Sequence, residues 1–582
     1  MKNLLHLNKY LFKYKSLLLI GTIFILISNI FALYPAEFVR HSFDSIQESI
    51  SHNNSNKGIH FTLLKYGGLI ILFAILKGVF MYFMRQTVIV MSRKIEFDLK
   101  NEIYKKYQEL SLSFYKKNNT GDLMNRITED VNRVRMYLGP AMMYAINMLF
   151  LFTLVIWKMF SINTTLTLYV LIPLPILAIA VYYVSNQINT KSEQVQVQLS
   201  TLTSISQETF SAINIIKIFR NEENSFNRFF EECKKYTKRQ LKLVSVEAWF
   251  FPLIILLIGV STITTIYIGG LENFKGNIST GNIAEFIIYV NMLTWPVASV
   301  GWVTSLVQRA EASMERINEF LDTETEIQNS TKKNTPITGN IEFKNINFTY
   351  PDTGIEALKD VSFKIKENES LGIFGKTGSG KSTIANLICR MYDRNSGEIT
   401  FSGTDIKDLN LFQLRKNIGY VPQDGFLFSG TVNENISFGK DNKTEQEIIN
   451  AAKTAEITDE IESFPEKYNT IIGERGVQLS GGQRQRLSIA RAIYINPPIY
   501  IFDDCLSAID ATKEKLILNN LRGKTQNNSN IIISHRTSSL QFTNHIIVLD
   551  EGKIIEQGKH EDLITNNGFY AEMHQKQTTE NL

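Results

Sequence analysis

Cysteine is scarce in this chain, which contains only Cys233, Cys389 and Cys505 among 582 residues. Their wide separation offers neither metal-ligand spacing nor a disulfide framework, and it favours reduced thiols in a cytosolic setting. A strong excess of one charge is also missing, because the formal net charge is only +4. So small a charge on so long a chain gives no support for nucleic-acid binding. The composition therefore argues against a disulfide-rich secreted protein and against a nucleic-acid-binding protein.

The mean hydropathy of -0.06 is that of a soluble protein, but this average conceals two different halves. The first part of the chain carries long apolar runs, whereas the remainder has the pattern of a soluble α/β protein. A chain of 582 residues is also too long for one compact domain. The sequence therefore predicts a membrane portion followed by a soluble portion.

Six apolar runs are long enough to cross a membrane as helices. They are predicted at Leu17–Phe38, Phe61–Met84, Met136–Trp157, Ile162–Val184, Ala248–Gly270 and Ile283–Val307. A basic, amphipathic segment precedes them, and we expect it to lie on the inner membrane surface. The first run is too long for a signal peptide and lacks a small-residue cleavage site, so no cleaved leader is predicted.

The loops between these runs alternate in length and charge. Arg85–Arg135 and Ser185–Glu247 are long and rich in Lys and Arg, whereas Lys158–Ser161 and Leu271–Asn282 are short. The positive-inside bias places the long loops, both termini and the soluble half in the cytoplasm of a multi-pass protein of the inner (cytoplasmic) membrane. Helical periodicity in the long loops predicts helices that extend beyond the bilayer. They should turn near residues 113–120 and near residues 212–222.

The ionisable residues Lys77 and Glu285 fall within apolar spans. Such residues are candidates for a functional role inside the membrane. The alternative is that each snorkels or lies near a membrane boundary, and the sequence does not separate the two.

A glycine-rich loop forms the centre of the soluble half. Its residues are Gly375, Lys376, Thr377, Gly378, Ser379, Gly380, Lys381, Ser382 and Thr383. An apolar strand pattern precedes the loop and an apolar helix pattern follows it, which is the context that a phosphate-binding P-loop requires. Backbone N–H groups and the helix N-terminus would bind phosphate, Lys381 would reach the β- and γ-phosphates, and Ser382 would complete a Mg²⁺ site. The sequence therefore predicts binding of a nucleoside triphosphate, with ATP and Mg²⁺ as the expected ligands.

Downstream, the apolar strand that begins at Pro498 ends in two carboxylates, Asp503 and Asp504. In a P-loop ATPase the first would hold Mg²⁺, and the second position holds the base that orients the attacking water. Residues 339–575 are accordingly predicted as a nucleotide-binding domain. The membrane domain is predicted at residues 1–320, a polar linker at 321–338 and a polar tail at 576–582.

A short glycine-rich stretch is the most discriminating motif: Leu479, Ser480, Gly481, Gly482 and Gln483. It could present N–H groups and a hydroxyl to a γ-phosphate, or simply be the turn that starts the next helix. Together with the P-loop and the strand ending at Asp503, this stretch resembles the signature of the ATP-binding cassette superfamily. The resemblance covers essentially the whole chain.

The resemblance implies roles for further residues. Gln423 corresponds to the glutamine loop and joins Ser382 and Asp503 as a metal-site residue, His535 to the switch histidine, and Tyr350 to the aromatic that stacks on adenine. The D-loop corresponds to Ser507–Asp510, and the cross-domain contact loop of exporters to Gly473–Gly476. Signature residues 479–483 would act on ATP bound by a partner chain.

The membrane half also carries family features. Segments at 120–131 and 208–222 resemble the two coupling regions of exporter membrane domains. Six spans ahead of one cassette is the layout of a half-transporter, so the implied fold is a six-helix membrane domain fused to an α/β P-loop domain. The implied activity is ATP-driven export of amphipathic small molecules by alternating access. The expected partners are a second half-transporter, in a homodimer or a heterodimer, membrane lipids and the amphipathic substrate. No nucleic-acid partner is expected.

One residue departs from the family pattern, because Asp504 stands where the usual catalytic glutamate is found. A side chain shorter by one methylene changes the reach of a general base, whose contribution is typically ~10²–10⁴-fold. The same change resembles the degenerate site of heterodimeric exporters, yet His535 and the signature are intact. Three readings stay open: a drug exporter, a lipid or lipid A-type flippase, and a low-activity partner subunit of a heterodimer.

Overall fold

The computed structural model describes residues 3–51, 59–329, 331, 333–440, 444–473 and 478–580. The chain divides into two compact units. The first comprises residues 1–107 and 121–323, and the second comprises residues 108–120 and 324–582. A short segment of the membrane half, 108–120, therefore belongs to the same compact unit as the soluble half.

The membrane half is helical throughout its described part. Its helices are α1 (Asn8–Lys13), α2 (Lys15–Ser51), α3 (Ile59–Glu109), α4 (Leu112–Lys117), α5 (Thr120–Asn125), α6 (Val131–Met136), α7 (Met142–Ile162), α8 (Thr164–Leu171), α9 (Pro173–Ser211), α10 (Ile213–Ile218), α11 (Glu222–Phe274) and α12 (Thr280–Leu321). Turns of π-helix at Arg126–Asp130 and Tyr137–Ala141 join α5, α6 and α7 into one long helical segment.

Within the described residues, five helical segments are long and apolar enough to span a membrane. They are Lys15–Ile50, Ile59–Glu109, Thr120–Ile162, Glu222–Phe274 and Thr280–Leu321. The remaining predicted span, Ile162–Val184, is divided between α8 and α9. The division falls at Pro173, which has no backbone N–H to continue the hydrogen-bond ladder of the preceding helix. Periodicity alone did not predict this break.

The long loops have the predicted form. Helices α3, α9 and α11 are 51, 39 and 53 residues long, which exceeds what a bilayer requires. Two short helices, α4 and α10, lie at the predicted turns. The prediction of extended helices that turn at short segments is confirmed.

Glu285 is fully buried in the first unit and is partnered there. Its carboxylate lies 3.4 Å from the guanidinium of Arg40 on α2 and accepts a hydrogen bond of 2.7 Å from the Tyr289 hydroxyl. A buried carboxylate needs such partners, because an uncompensated charge in an apolar interior is costly. Glu285 therefore does not snorkel, whereas the side chain of Lys77 is exposed on α3.

Within its described residues, the second unit contains three sheets. Their strands are β1 (Ile341–Thr349), β2 (Glu356–Ile365), β3 (Ser370–Gly375), β4 (Ser396–Phe401), β5 (Thr404–Asp405), β6 (Ile418–Val421), β7 (Gly430–Thr431), β8 (Ile471–Ile472), β9 (Ile499–Asp503), β10 (Ser529–Ser534), β11 (His545–Asp550) and β12 (Lys553–Gly558). The largest sheet has the order β12-β11-β3-β10-β9-β6 and is parallel except at β12. An antiparallel sheet has the order β2-β1-β4-β5, and β7 pairs with β8.

Helices surround these sheets. They are α13 (Lys381–Ile388), α14 (Leu411–Lys416), α15 (Val432–Ile436), α16 (Glu445–Thr454), α17 (Thr458–Ser463), α18 (Gly481–Ile495), α19 (Ala511–Lys524), α20 (His560–Thr565) and α21 (Phe569–Glu580). Strands β3, β9 and β10 are almost entirely buried, as expected for parallel strands covered on both faces. The carboxyl ends of parallel strands meet at one edge of the sheet, where open α/β folds bind ligands.

Candidate nucleotide site

The P-loop connects the end of β3 to the start of α13, as the sequence predicted. Gly378 and Gly380 have φ angles of 83° and 101°, a left-handed region that favours glycine. A Cβ on Gly380 would also lie 2.4 Å from the Ala357 carbonyl oxygen. These glycines therefore allow the tight turn that leads into the N-terminus of α13. Anions bind favourably to the backbone N–H groups at such a helix N-terminus.

Lys381 closes this loop from the inside. Its Nζ donates hydrogen bonds of 2.8 Å to the Gly375 carbonyl and 2.7 Å to the Lys376 carbonyl. Burial lowers the pKa of Lys381, an effect opposed by the carboxylates of Asp504 and Asp503. The ammonium is thus hydrogen-bonded to two neutral carbonyl groups of the loop. A bound phosphate could take the place of these carbonyls as a stronger, charged acceptor.

A candidate magnesium site lies beside the loop. The Ser382 hydroxyl donates a hydrogen bond of 2.9 Å to Asp503, and the Tyr420 hydroxyl donates one of 3.2 Å to the other carboxylate oxygen. Burial raises the pKa of Asp503, against the opposing effect of these two hydrogen bonds. A buried carboxylate next to a hydroxyl fits Mg²⁺, which prefers oxygen ligands and usually shares them with substrate phosphates.

Two further observations test this fit. Among the described residues, no cluster of three or more His, Cys, Asp or Glu side chains could hold a metal ion by itself. An all-protein cage is therefore absent from that part of the chain, and the phosphates would have to complete the coordination. The hydroxyl of Ser379 in the P-loop is buried and has no hydrogen-bond partner within the described structure. A buried orphan donor at this position suits a phosphate ligand.

Asp504 and His535 lie directly against each other. His535 Nδ1 is 2.9 Å and 3.0 Å from the two carboxylate oxygens of Asp504. Asp504 has a φ of 47°, an uncommon conformation for a residue with a side chain, and its N–H donates to the Ile533 carbonyl. The two residues assigned to catalysis from the sequence are therefore brought together at the ends of β9 and β10.

A cavity of about 500 Å³ joins most of the predicted nucleotide residues. Its lining includes Tyr350, Thr377, Gly378, Gly380, Lys381, Ser382, Thr383, Gln423, Asp503, Asp504 and His535. These residues come from distant parts of the sequence, and most lie at the carboxyl ends of parallel strands. Of the described signature residues, Leu479–Gln483, none lines this cavity. The assigned roles of all these residues stay predictions, since geometry establishes proximity and not function.

Tyr350 is held at the rim of the cavity by several contacts. Its hydroxyl is 2.9 Å from the Thr383 hydroxyl, and its ring packs edge-on against Tyr392. The Lys116 ammonium of α4, within the same compact unit, lies 4.9 Å from the centroid of the Tyr350 ring. A cation at this distance from an aromatic ring is attracted by its quadrupole. Sequence analysis missed Lys116, because nothing in its local pattern indicates an aromatic partner so distant in the chain.

The signature stretch forms the start of α18. Ser480 is the N-cap residue: its hydroxyl accepts a hydrogen bond from the Gln483 N–H, and Gln483 Oε1 accepts one from the Ser480 N–H. This capping box matches the helix-start alternative locally, and it caps the first turn of α18 while Ser480 and Gly481 stay exposed. Of the predicted contact loop Gly473–Gly476, residues 474–476 lie outside the described residues.

Gln485 is a second residue that sequence analysis missed. Its amide donates to the Gln423 carbonyl at 3.1 Å and accepts from the Ala508 N–H at 3.3 Å. One buried side chain on α18 therefore connects the glutamine loop to the D-loop. A polar residue on the buried face of the helix was the available signal, but the pattern does not reveal its partners.

Comparison with known proteins agrees with this geometry. Residues 18–297 match the family model described as ABC transporter transmembrane region, and residues 358–507 match the model described as ABC transporter. A probable multidrug resistance ABC transporter ATP-binding/permease protein of Bacillus subtilis is 33% identical over 96% of this chain and 94% of its own length. A multidrug resistance-like ATP-binding protein of Escherichia coli is 34% identical, covering 90% of this chain and 89% of its own.

The chain is also similar to a lipid flippase in sequence and to a solved exporter structure in fold. An ATP-dependent lipid A-core flippase of Syntrophus aciditrophicus is 34% identical over 88% of this chain and 85% of its own length. The solved structure of a bacterial Atm1-family ABC exporter with ATP bound has a TM-score of 0.80, with 97% of this chain and 99% of that chain covered. At 24% identity the latter similarity concerns the fold alone.

Proposed function

The chain belongs to the ATP-binding cassette transporter family and is a transport ATPase of the membrane, and we propose that it exports amphipathic small molecules as one half of a dimeric exporter. The observation that supports this most directly is the shared cavity. There Lys381, Asp503, Asp504 and His535 meet at the carboxyl ends of parallel strands. Such a constellation suits hydrolysis of a nucleoside triphosphate.

We assign the roles at this cavity as follows. The P-loop backbone and Lys381 bind the phosphates of ATP, and Tyr350 stacks on the adenine. Ser382, Asp503 and Gln423 would hold Mg²⁺, which would neutralise charge on the phosphates. Asp504 orients the attacking water, and His535, hydrogen-bonded to Asp504, keeps that carboxylate in position. The distances reported above support the roles of Lys381, Ser382, Asp503 and the Asp504–His535 pair. The roles of Gln423 and Tyr350 are supported by the family pattern and by their place in the lining of the cavity.

The composite site requires a second chain in this proposal. Members of this family function as dimers, and within the described residues the signature Leu479–Gln483 does not line the cavity of its own chain. We propose that two chains pair head to tail, so that Ser480 of each faces ATP bound by the other. The exposed Ser480 and Gly481 at the N-terminus of α18 would then meet the γ-phosphate, where the partial positive charge of the helix N-terminus is favourable.

The proposed transport activity is tested with the purified chain in proteoliposomes. We expect ATP hydrolysis to be stimulated several-fold by a fluorescent amphiphilic cation or by lipid A, and the stimulating compound to move across the bilayer only with ATP. Stimulation by the amphiphilic cation alone favours drug export, whereas stimulation by the lipid alone favours a flippase. A purified chain that neither hydrolyses ATP nor moves either compound would contradict the proposal for a homodimer.

A second candidate function rests on Asp504. Its shorter side chain, already bound to His535, favours a low-activity partner subunit in a heterodimeric exporter. In that case the chain alone would bind ATP normally yet hydrolyse it slowly, and full activity would require a partner half-transporter that carries a glutamate at this position.

The proposed membrane topology places both termini and the nucleotide-binding domain in the cytoplasm. It is tested by single cysteines at Lys275 and Lys117 in a variant whose three native cysteines are replaced. We expect an impermeant thiol reagent added to intact cells to label position 275 and not position 117, because the basic loops should lie inside. Labelling of position 117 alone would contradict this topology, and permeabilised cells supply the control that both sites can react.

A further inference from the structure

The C-terminal helix α21 reaches back to the loop that carries His535. Gln577 donates a hydrogen bond of 2.7 Å from Nε2 to the His535 carbonyl. Its Oε1 accepts one of 2.9 Å from the Thr537 N–H and one of 3.0 Å from the Thr537 hydroxyl. The side-chain amide thus pairs with a backbone carbonyl and a backbone N–H two residues apart. An amide is the side-chain group that offers a donor and an acceptor together in this way.

Residues of the same loop also form hydrogen bonds with Glu514 of α19. Arg536 donates a hydrogen bond of 2.6 Å to Glu514, and it also donates to the Ser507 carbonyl at 3.1 Å. The Ser539 hydroxyl binds the other oxygen of Glu514. The loop after β10 is therefore attached both to α19 and to α21. Its first residue, His535, lines the cavity and has a side chain that is 46% exposed.

We propose that Gln577 is a positioning residue for His535, acting through the backbone of the loop. The imidazole contacts Asp504 at 2.9 Å, so a small displacement of the His535 backbone would lengthen that contact. Hydrogen bonds weaken steeply once distance and angle depart from their optimum. Gln577 thereby extends the catalytic assembly into a segment, 576–582, whose sequence predicts only a polar tail.

Apolar contacts near its start hold α21 against the domain. The helix is anchored near its start by Tyr570, which is fully buried in an apolar cluster with Phe374, Leu540 and Leu563. Phe569 and Met573 pack against the same cluster. Removal of one amide further along the helix should therefore leave the domain folded, so that an effect on catalysis can be separated from an effect on stability.

The inference rests on the proposed role of His535 in hydrolysis, and the experiment is chosen to test the two separately. Gln577→Ala, Gln577→Glu and His535→Ala are compared with Gln575→Ala and Gln575→Glu, since Gln575 is an exposed glutamine on the same helix. A glutamate at 577 still accepts from Thr537 but, when ionised, cannot donate to the His535 carbonyl. The measurements are kcat and KM for ATP, with the thermal midpoint of the purified full-length protein.

We expect Gln577→Glu to lower kcat by roughly fivefold, about the effect of one lost hydrogen bond. Gln577→Ala should lower kcat at least as much, because it removes all three hydrogen bonds to the loop. The KM for ATP should stay within about twofold, because the hydrogen bonds of Gln577 described above go to His535 and Thr537 rather than to the P-loop. The Gln575 variants should match the wild type. A kcat of Gln577→Ala and Gln577→Glu equal to that of the Gln575 controls overturns the inference. So does a fall in kcat accompanied by an equal loss of ATP affinity and thermal stability, which would indicate a general structural role.

His535→Ala separates the two levels. A slow His535→Ala together with normal Gln577 variants removes this inference and leaves the proposed role of His535 intact. A His535→Ala variant as fast as the wild type removes the role of His535, and the inference with it.

Discussion

Lys381→Ala is expected to abolish ATP hydrolysis and ATP-dependent transport. The Lys381 ammonium occupies the centre of the P-loop, hydrogen-bonded to the Gly375 and Lys376 carbonyls. In the proposed mechanism, the ammonium exchanges these two hydrogen bonds for contacts with the β- and γ-phosphates of ATP. In the Lys381→Ala variant, the charge of these phosphates lacks its main side-chain partner. Removing one preorganised electrostatic group from a site of phosphoryl transfer is expected to cost roughly 10²–10³-fold or more in rate. The measurement is ATP turnover of the reconstituted chain.

Lys366→Ala is the matched control for this prediction. Lys366 follows strand β2, is exposed, and lies near Glu369 rather than near the nucleotide cavity. It should therefore keep normal turnover and normal expression in the membrane. Transport by Lys381→Ala at the wild-type rate, with equal expression, would contradict the assignment of the P-loop as the site of ATP binding.

Asp504→Glu is expected to raise the rate of ATP hydrolysis by the chain alone. A general base must reach the proton that it removes, and the added methylene would carry the carboxylate further from the backbone into the cavity. The greatest possible gain is the ~10²–10⁴-fold that a well-placed base supplies. Single-turnover hydrolysis is the appropriate measurement, because it isolates the chemical step from the conformational steps that limit many transporters.

Asp504→Asn is the control for charge, since it preserves size and removes the base. It should lower the single-turnover rate from whatever level the wild type has. If the wild type is fast and Asp504→Glu is slower, the contact between Asp504 and His535 already places the aspartate correctly. That result would remove the low-activity subunit from consideration and favour a functional homodimer.

The features of this protein that depend on local pattern could be predicted from the amino-acid sequence. The P-loop lies between a strand and a helix, as predicted, because glycine spacing and apolar runs act over a few residues. The helical extensions beyond the predicted spans and their turns near α4 and α10 were also predictable, since helical periodicity and its interruption are read within one segment. Family membership followed from the combination of such local motifs.

Which side chains contact each other became known only from the packing of the folded chain. The partner of Glu285 is Arg40, the aromatic beside Lys116 is Tyr350, and the loop beside Gln577 is that of His535. The two residues of each pair are far apart in the chain. Packing of whole helices and strands brings these groups within hydrogen-bonding or ion-pairing distance, and no local pattern encodes that result. The folded chain also shows the break at Pro173 and the capping of α18 by Ser480. Both depend on which of several competing backbone hydrogen bonds form, and the local sequence leaves that choice open.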